Sequence, residues 1–292
     1  MSITRGIVLA GGSGSRLYPL TQVASKQLLP VHDKPMIYYP LATLMVAGVR
    51  EVLLVSTPED TPRYQALLGD GSRWGISLEY AIQEQPNGIA AALPLAESFI
   101  AGDPVCMILG DNIFYGKLGL DRALASFEAG ARAFAFPVTD PERYAVVEFA
   151  DDGTVVSLEE KPIAPRSHDA VPGLYLYDAT AVERARTLSP SPRGELEITD
   201  LHRSYLADGA LVIERVGRGV TWLDTGTPDS LLEASQFIAS VERRQGLRIA
   251  CLEEVAWRNG FIDRAHLAQE IAAMPPSPYR TYLEDLEAGK LE

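Results

Sequence analysis

The chain has 292 residues, which is enough for one large α/β domain or two small ones. Its composition, 47% hydrophobic and 22% charged, is typical of a globular protein and excludes a disordered, collagen-like or low-complexity chain. The 26 basic and 39 acidic residues give a net charge of −13, whose field repels phosphate at long range. We therefore expect no nucleic-acid partner and no anionic membrane surface, and an anionic ligand would need a local basic pocket or a metal ion.

The N-terminal residues lack the pattern of a signal peptide, and no apolar run approaches the roughly 20 residues that a membrane span needs. Cys106 and Cys251 are too few for a disulfide framework, and the four histidines are scattered without metal-site spacing. We therefore expect a cytoplasmic protein with no membrane partner.

The first part of the chain alternates strand-like and helix-like segments. Buried apolar runs predict strands at residues 6–9, 52–55, 78–82 and 105–109. The segments between them predict helices at residues 36–47, 62–68 and 89–99. Strands and helices that alternate at this spacing predict βαβ crossovers, and hence a parallel sheet with helices on both faces.

The second part of the chain has shorter links between its strand-like segments, which indicate antiparallel additions to the sheet. These strands are predicted at residues 133–138, 145–149, 155–158 and 173–177. Thr227 and Pro228 then have the pattern of a helix N-cap and first position, and Gly246 ends that helix. The tail from about residue 253 is amphipathic and helical. We predict one α/β domain over residues 1–245 and a helical C-terminal region over 246–292.

A glycine-rich loop, residues 9–17, follows the first predicted strand directly. Three glycines in four positions allow a sharp turn and a close approach of the backbone to a ligand. The loop is neither a P-loop nor a GxGxxG motif, and a tight structural turn is the alternative interpretation. Two features favour function: the loop lies at the carboxyl end of a strand, and Arg16 and Lys26 offer cations to phosphate oxygens.

Residues 11–21, with Lys26 and the Leu-Pro and Lys-Pro pairs that follow it, resemble the signature of the sugar-nucleotide pyrophosphorylases. Further motifs in the same order look like those of the glucose-1-phosphate thymidylyltransferases. They lie at residues 36–41, 69–72, 109–116, 159–162, 193–200 and 222–227. The resemblance covers nearly the whole chain. It implies a Rossmann-like, GT-A-like nucleotidyltransferase fold with a predominantly parallel sheet, a nucleotide-binding part over about 1–115 and a sugar-binding part over about 116–227.

The implied reaction is attack by a sugar 1-phosphate oxygen on the α-phosphorus of dTTP, with pyrophosphate as the leaving group. Because two polyanions must meet, the residues that matter are cations and metal-binding carboxylates. The resemblance assigns catalysis to Arg16, Lys26 and Asp111. The nucleotide-binding residues it implies are Leu9, Gly11, Gly12, Ser13, Gly14, Ser15, Gln83, Gly88 and Asp111. The sugar-phosphate residues it implies are Ala145, Glu160, Lys161, Val171, Arg193 and Trp222.

Asp111 follows the predicted strand 105–109, and a carboxylate at that end of a parallel sheet points into the ligand crevice. Asp224 lies in a Trp-Leu-Asp-Thr-Gly motif. The resemblance implies that these two residues bind one Mg²⁺ ion. A glycosyltransferase of similar architecture is the competing interpretation, but the Asp-x-Asp metal motif expected there is absent after this strand.

Several residues depart from the family pattern near the expected sugar pocket, at Ala91, Ala145, Asp169 and Pro172. Ala145 adds a methyl group where the family has glycine, and Pro172 removes one backbone N–H. Asp169 replaces an aromatic residue, and its carboxylate could receive an amino sugar. These departures leave open a changed sugar or a cyclitol phosphate, and UTP in place of dTTP, although glucose 1-phosphate is favoured.

Two further expectations come from the resemblance alone: a homotetramer, and feedback by a nucleotide sugar at a second site. Residues 115–116, 218–219 and 254–258 resemble parts of that site, but the segment after Gly116 is short. A non-catalytic regulator that binds nucleotide sugars is the alternative of another class. The retained side chains of Arg16, Lys26, Asp111, Lys161 and Asp224 count against it.

Overall fold

The computed structural model describes residues 3–12 and 14–291. Its strands are β1 (Arg5–Leu9), β2 (Pro30–Val31), β3 (Lys34–Pro35), β4 (Glu51–Ser56), β5 (Ser77–Ile82), β6 (Val105–Leu109), β7 (Asn112–Tyr115), β8 (Ala131–Pro137), β9 (Ala145–Phe149), β10 (Val155–Glu160), β11 (Asp169–Val171), β12 (Leu174–Tyr177), β13 (Leu211–Arg215) and β14 (Thr221–Asp224). Its helices are α1 (Tyr38–Val46), α2 (Thr61–Leu68), α3 (Ala92–Leu95), α4 (Glu97–Ile100), α5 (Leu120–Ala125), α6 (Ala181–Thr187), α7 (Ile198–Ala207), α8 (Pro228–Gln245), α9 (Leu252–Arg258), α10 (Arg264–Ala273) and α11 (Pro278–Glu287).

The central sheet has the strand order β10-β9-β11-β8-β12-β6-β1-β4-β5, and β13 pairs in parallel with β8. Strands β6, β1, β4 and β5 run parallel, as their apolar runs and intervening helices predict. Strands β12, β11, β9 and β10 extend the sheet by antiparallel pairing. The predicted α/β fold with antiparallel additions is therefore confirmed.

The sheet separates two hydrophobic cores, and β1 contributes to both. Val8 faces the core formed with α1, α5 and the C-terminal helices, while Ile7 and Leu9 face the core formed with α3, α6 and α7. Gly6 permits close packing of α1, since a Cβ there would lie 2.8 Å from Leu44 Cδ1. Burial of the apolar side chains in the two cores is the dominant favourable contribution to folding.

The C-terminal helices α9, α10 and α11 share the first of these cores, through residues such as Leu252 and Leu283. The buried carboxylate of Glu253 accepts hydrogen bonds from Trp74 Nε1 at 3.0 Å and from Tyr279 Oη at 2.5 Å. The helical tail is thus confirmed and packs directly on the sheet domain. The division at residue 245 remains a prediction, although α8 does end at that residue.

The start of α8 follows its sequence pattern closely. Thr227 Oγ1 accepts a hydrogen bond from the Ser230 N–H, and the Ser230 hydroxyl accepts from the Thr227 N–H. Gly246 ends the helix in the left-handed conformation, with a φ of 70°. This helix fixes the position of β14, which immediately precedes it and carries Asp224.

The structure differs from the sequence-based expectation in several elements, since β11, β13 and the helices α5, α6 and α7 were not predicted. The predicted helix over 89–99 is instead two short helices, α3 and α4, which are separated at Ala96 by its non-helical backbone (ψ of 3°). The first of them begins only at Ala92, since the Ala90 N–H bonds to the Leu196 carbonyl. The small antiparallel pair of β7 and β14 was not predicted. Among the described helices, none combines the length and the apolar character needed to cross a bilayer.

A buried histidine lies in the second core. Tyr177 Oη is 2.7 Å from His202 Nε2, and the rings of Tyr175 and Tyr177 pack against the imidazole. Burial lowers the pKa of His202 to about 3, because a charged imidazole is poorly solvated among these rings.

We expect this histidine to make stability depend on pH. An unfolded histidine has a pKa of about 6.5, so the unfolded state binds more protons than the folded state below that pH. The free energy of unfolding should therefore fall by about 2 kcal/mol between pH 7 and pH 5 through His202 alone. Denaturant unfolding at both pH values should show a flatter dependence in His202→Gln, whereas the exposed His168→Gln should behave like wild type. Equal pH slopes in all three proteins would contradict the assignment.

Candidate active site

The glycine loop lies over the carboxyl end of β1, where parallel sheets bind ligands. Gly12 and Gly14 have φ values of 107° and 56°, a left-handed backbone that favours glycine. The loop borders a cavity of about 230 Å³. This cavity is lined by Gly11, Gly12, Gly14, Ser15, Arg16, Leu17, Lys26, Gln27, Asp111 and Gly226. Ser13, also expected to bind nucleotide, lies outside the described residues.

Lys26 and Asp111 form an ion pair at this cavity, with Lys26 Nζ 2.7 Å from Asp111 Oδ2. Asn112 Nδ2 donates to the other oxygen, Asp111 Oδ1, at 2.8 Å. Burial alone would raise the pKa of Asp111, but the ammonium group of Lys26 and these hydrogen bonds outweigh it and lower the pKa. Asp111 is therefore held as a carboxylate, the form that can bind a cation.

Asp224 is brought to the same place by the pair of β7 and β14. In this pair Asp224 lies directly opposite Asn112, the residue after Asp111. Thr225, the next residue after Asp224, connects this segment to Asp111, since its hydroxyl donates to the Asp111 carbonyl at 2.9 Å. Gly226 completes this connection: a Cβ there would lie 3.0 Å from Asp224 Oδ1 and 3.4 Å from an Arg16 guanidinium nitrogen. Of the two carboxylates expected to share a metal, Asp224 thus ends β14 and Asp111 lies in the turn just before β7, the strand paired with β14.

The Asp224 carboxylate is paired with a residue that the sequence analysis did not single out. Arg143 donates to Asp224 Oδ2 at 2.8 Å and to Asp140 at 2.7 Å. The Tyr144 hydroxyl lies 3.4 Å from the same Asp224 oxygen. Arg143 precedes the strand β9 that carries Ala145, so it connects the carboxylate side of the site to the expected sugar side.

Three of the expected sugar-phosphate residues lie side by side across neighbouring strands. Ala145 on β9 is directly opposite Glu160 on β10 and Val171 on β11. Lys161 Nζ lies 3.1 Å from Glu160 Oε1, and the Thr199 hydroxyl donates to Glu160 Oε2 at 2.6 Å. The carboxylate of Glu160 is therefore oriented from both sides.

Arg193, the second cation expected on this side, is held by a carboxylate that follows it in the chain. Its guanidinium group donates to both oxygens of Glu197, each at 2.8 Å, and lies 3.7 Å from Glu160. Glu197 is buried and also accepts from the Ser191 hydroxyl at 2.7 Å. The segment 191–197 therefore presents Arg193 beside Glu160 and Lys161.

Trp222 forms a wall between the two halves of the site. Its Nε1 donates to Asn112 Oδ1 at 2.8 Å, and its ring lies edge to face with Tyr144, at 4.8 Å between centroids. Asn112 Oδ1 also accepts from the Gly173 N–H at 3.1 Å. One buried amide thus connects Asp111 to the tryptophan on the sugar side.

The expected base-binding residues Gln83 and Gly88 do not line this cavity, and Gln83 lies close to Gly11 of the glycine loop. Gln83 Nε2 donates to Asn87 Oδ1 at 2.7 Å and to the Gly88 carbonyl at 3.1 Å. These bonds turn Gln83 Oε1 toward Gly11, where a Cβ would lie 3.8 Å away. Leu9 ends β1 below the loop, and its carbonyl accepts from the Gly110 N–H at 2.8 Å.

The base-side loop and the sugar-side segment are hydrogen-bonded to each other. The Leu196 N–H donates to the Asn87 carbonyl at 2.8 Å, and the Ala90 N–H donates to the Leu196 carbonyl at 3.2 Å. Gly88, with a φ of 108°, lies against this junction, since a Cβ there would be 2.4 Å from the Leu196 oxygen. The two halves of the site therefore cannot move independently at this point.

The arrangement is matched by known proteins. Residues 5–241 match the family described as nucleotidyl transferase. The glucose-1-phosphate thymidylyltransferase of Neisseria meningitidis serogroup A is 53% identical over 281 residues, which cover 96% of this chain and 98% of that one. The protein of the same name from Mycobacterium tuberculosis H37Rv is 53% identical over 284 residues, covering 97% and 98%. This chain belongs to the nucleotidyl transferase family. Within it, the chain is a nucleotidyltransferase of the glucose-1-phosphate thymidylyltransferase group, as the sequence motifs predicted.

Solved structures agree with this membership. A Bacillus anthracis protein assigned as a glucose-1-phosphate thymidylyltransferase, in complex with a sucrose, matches with a TM-score of 0.75 at 39% identity. The match covers 80% of this chain and 94% of that one. A UDP-glucose pyrophosphorylase complexed with UDP-glucose matches with a TM-score of 0.71, covering 83% and 100%, and at 23% identity it shows the fold alone.

The four residues that depart from the pattern of the nucleotidyltransferase group lie in environments that differ from one residue to the next. The carboxylate of Asp169 lies 3.0 Å from an Arg215 guanidinium nitrogen, so its charge is already balanced by a protein side chain. Ala91 is buried just before α3, and Pro172 precedes Gly173 between β11 and β12. Ala145 lies within the row that also contains Glu160 and Val171.

Three further residues of the site were missed in the sequence analysis: Asn112, Arg143 and Gln27. Gln27 lines the 230 Å³ cavity, is 4% exposed, and its Oε1 has no hydrogen-bond partner within the described part of the chain. A buried acceptor without a partner is costly unless a ligand supplies a donor. Gln27 and Asn112 directly follow Lys26 and Asp111, and Arg143 lies two residues before Ala145; this proximity to residues that the motifs identified was the available signal.

The residues expected at a second site are only partly brought together. Tyr115, Gly116 and Val255 line a separate cavity of about 530 Å³ between β7, α1 and α9. Arg218 instead borders a smaller cleft beside Trp222. The Glu254 carboxylate is occupied by the Tyr282 hydroxyl at 2.6 Å and by Arg258 at 2.7 Å.

We expect Gly88→Ala to disturb both halves of the site together. A methyl group 2.4 Å from the Leu196 oxygen would force the two segments apart, and the positive φ adds strain of about 1–3 kcal/mol. The Michaelis constants for the nucleoside triphosphate and for the sugar phosphate should therefore both rise at least severalfold in steady-state kinetics. Gly102→Ala is the matched control, because Gly102 also has a positive φ, 83°, but open space around it. Wild-type constants in Gly88→Ala would show that the junction does not connect the two halves.

Proposed function

We propose that this enzyme transfers a nucleotidyl group from dTTP to α-D-glucose 1-phosphate, giving dTDP-glucose and pyrophosphate. The observation that carries the proposal is the convergence of Arg16, Lys26 and Asp111 at one cavity, together with the Glu160–Lys161 pair. Tyr144 links the two groups, since its carbonyl accepts from the Lys161 N–H at 2.9 Å and its hydroxyl lies 3.4 Å from Asp224 Oδ2. A cation-lined cavity beneath a glycine loop suits a triphosphate. The neighbouring carboxylate and ammonium groups suit the hydroxyl and phosphate groups of a sugar phosphate.

The proposed step is a direct in-line displacement. An anionic oxygen of the sugar phosphate forms a bond to the α-phosphorus, and the bond from that phosphorus to the oxygen bridging to the β-phosphate breaks. Pyrophosphate leaves with the electron pair, and no proton transfer is required. Arg16 and Lys26 would neutralise the α-phosphate and the leaving pyrophosphate, while Lys161 and Arg193 would bind the incoming sugar phosphate.

Asp111 and Asp224 fit a magnesium ion. Asp224 ends β14 opposite Asn112, the residue that follows Asp111, and Asp224 Oδ1 accepts no hydrogen bond from the residues that the structure describes. Hard oxygen ligands of this kind are those that Mg²⁺ prefers. When bound, the ion would supply positive charge to phosphate oxygens. Lys26 and Arg143 keep the two carboxylates balanced, so that the site is not strongly anionic before the nucleotide arrives.

Gln83 and Gln27 would recognise the nucleoside. With its Nε2 already donating to the protein, Gln83 offers Oε1 as an acceptor, which suits the N3–H of thymine. Gln27 Oε1, which has no hydrogen-bond partner among the described residues, would accept from a hydroxyl of the nucleotide sugar. Because uracil carries the same N3–H, UTP remains the alternative nucleotide.

The sugar is proposed to be glucose rather than an amino sugar, because Arg215 already neutralises Asp169. The methyl group of Ala145 still permits the alternative of another sugar or of a cyclitol phosphate. Homotetramer formation, feedback at the 530 Å³ cavity and a cytoplasmic location are part of the same proposal, and they rest on the resemblance to the relatives.

We expect pyrophosphate release with dTTP, α-D-glucose 1-phosphate and Mg²⁺. The measurement is a coupled pyrophosphate assay over four nucleoside triphosphates and a panel of glucose, glucosamine, galactose and inositol phosphates. Pyrophosphate release from dTTP with another sugar phosphate, but not with glucose 1-phosphate, would refute the proposed sugar. If no pair released pyrophosphate, a binding-only role would replace the proposal.

We expect Asp111→Asn and Lys26→Met each to lower kcat by at least about a hundredfold, since each removes a charge from the reaction centre. Each variant also leaves its partner charge without compensation, so a lower free energy of unfolding should accompany the loss. Circular dichroism and calorimetric titration with Mg²⁺ and dTTP would separate the two effects. The exposed pair Asp285 and Lys290, 2.7 Å apart, provides matched controls as Asp285→Asn and Lys290→Met. Near-normal kcat in either site variant would refute the assigned role.

A further inference from the structure

The two segments on the nucleotide side of the cavity are joined from below by one hydroxyl group. Tyr64, on α2, is completely buried. Its Oη lies 2.6 Å from Ser25 Oγ and 3.3 Å from the Ala10 carbonyl oxygen. Ala10 begins the glycine loop, and Ser25 directly precedes Lys26. Gln27, which follows Lys26, makes a longer contact of 3.5 Å from its Nε2 to the Gly11 carbonyl. In the described part of the chain, Tyr64 is the side chain from outside both segments that hydrogen-bonds to both.

The protons of this bridge can be assigned. The Ala10 carbonyl can only accept, so the single Tyr64 proton is donated to it. The Ser25 hydroxyl must then donate its own proton to Tyr64 Oη. With both hydrogen bonds formed, the donor order runs from Ser25 to Tyr64 to Ala10. Burial, which raises the pKa of Tyr64, keeps the phenol protonated.

The same helix also holds Ser25 by its backbone. The Ser25 N–H donates at 3.2 Å to Asp60 Oδ1, at the N-terminus of α2. Asp60 is buried and is itself oriented by Arg63 and by the Thr57 hydroxyl. Ser25 is thus fixed at two points, and the next residue, Lys26, reaches Asp111 from there.

We propose that Tyr64 is a positioning residue for the nucleotide phosphates. Its hydroxyl sets the spacing between the glycine loop and Lys26, the two segments that must bind the same triphosphate. It acts through these segments and does not touch the substrate, because its side chain is wholly buried beneath them. The inference rests on the proposed function, and it adds a residue that neither the sequence motifs nor the cavity lining identifies.

The test compares Tyr64→Phe, Ser25→Ala and the double variant. Phenylalanine keeps the buried ring and removes only the hydroxyl, so the fold should survive. Calorimetric titration with dTTP and Mg²⁺, without sugar phosphate, should show binding weaker by about tenfold in each single variant, the value of one buried hydrogen bond. The double variant should bind no more weakly than Tyr64→Phe, because both changes break one bridge. The Michaelis constant for glucose 1-phosphate should change less than twofold.

Tyr205→Phe is the matched control. Tyr205 is also completely buried and also contacts two oxygen atoms, Asp178 Oδ1 at 2.9 Å and Thr180 Oγ1 at 3.1 Å, away from the cavity. It should lose stability comparably and keep wild-type dTTP binding.

Three outcomes would overturn the inference. The first is that Tyr64→Phe binds dTTP as tightly as Tyr205→Phe does. The second is that the losses of dTTP affinity in the two single variants add up in the double variant. The third is that the Michaelis constants for dTTP and for glucose 1-phosphate rise equally. The proposed function is judged separately, on the wild-type protein. Binding of dTTP without pyrophosphate release would refute the function and leave the positioning result standing. Absence of dTTP binding by the wild-type protein would refute both.

Discussion

The ion pair between Lys26 and Asp111 is the interaction on which the site depends. Lys26 lies in the segment after β1, and Asp111 lies in the turn after β6. The two residues meet because β1 and β6 pair in parallel and end at the same edge of the sheet. Each charge would be costly alone in this partly buried position, so each stabilises the presence of the other. The pair also sets the chemistry, since it keeps a carboxylate ionised and an ammonium group aimed at the cavity.

The excess of acidic residues behind the net charge of −13 is also seen near the cavity, where carboxylates accompany the cations. Around the cavity nearly every cation is matched by a carboxylate: Lys26 by Asp111, Arg143 by Asp224, Lys161 by Glu160 and Arg193 by Glu197. An incoming phosphate therefore meets cations that it must partly take over from protein carboxylates. Such pairing lowers nonspecific attraction for phosphate and leaves binding to geometry, which suits an enzyme with two anionic substrates.

The sequence predicted the parts of this protein that local patterns encode. The parallel strands, the Thr227 cap and the Gly246 stop follow from periodicity and capping chemistry, and the motifs identified Lys26, Asp111 and Asp224. The pairing of β7 with β14 could not be predicted in this way, because it joins segments more than a hundred residues apart. The same reason explains why the Arg143–Asp224 and Asp169–Arg215 pairs were not foreseen: their partners are set by tertiary contacts.

Long-range contacts of this kind are also what make two substrate sites into one. The Asn112 amide joins Asp111 to Trp222, and the Leu196 backbone joins the base-side loop to the segment that presents Arg193. In-line displacement needs the attacking oxygen and the α-phosphorus within a few tenths of an ångström of their reacting positions. In the proposed reaction, a single hydrogen-bonded framework that spans both sides of the site would set that distance before either substrate binds. The alternation of strands and loops brings these residues to one edge of the sheet, and the cross-links between loops then set their relative positions.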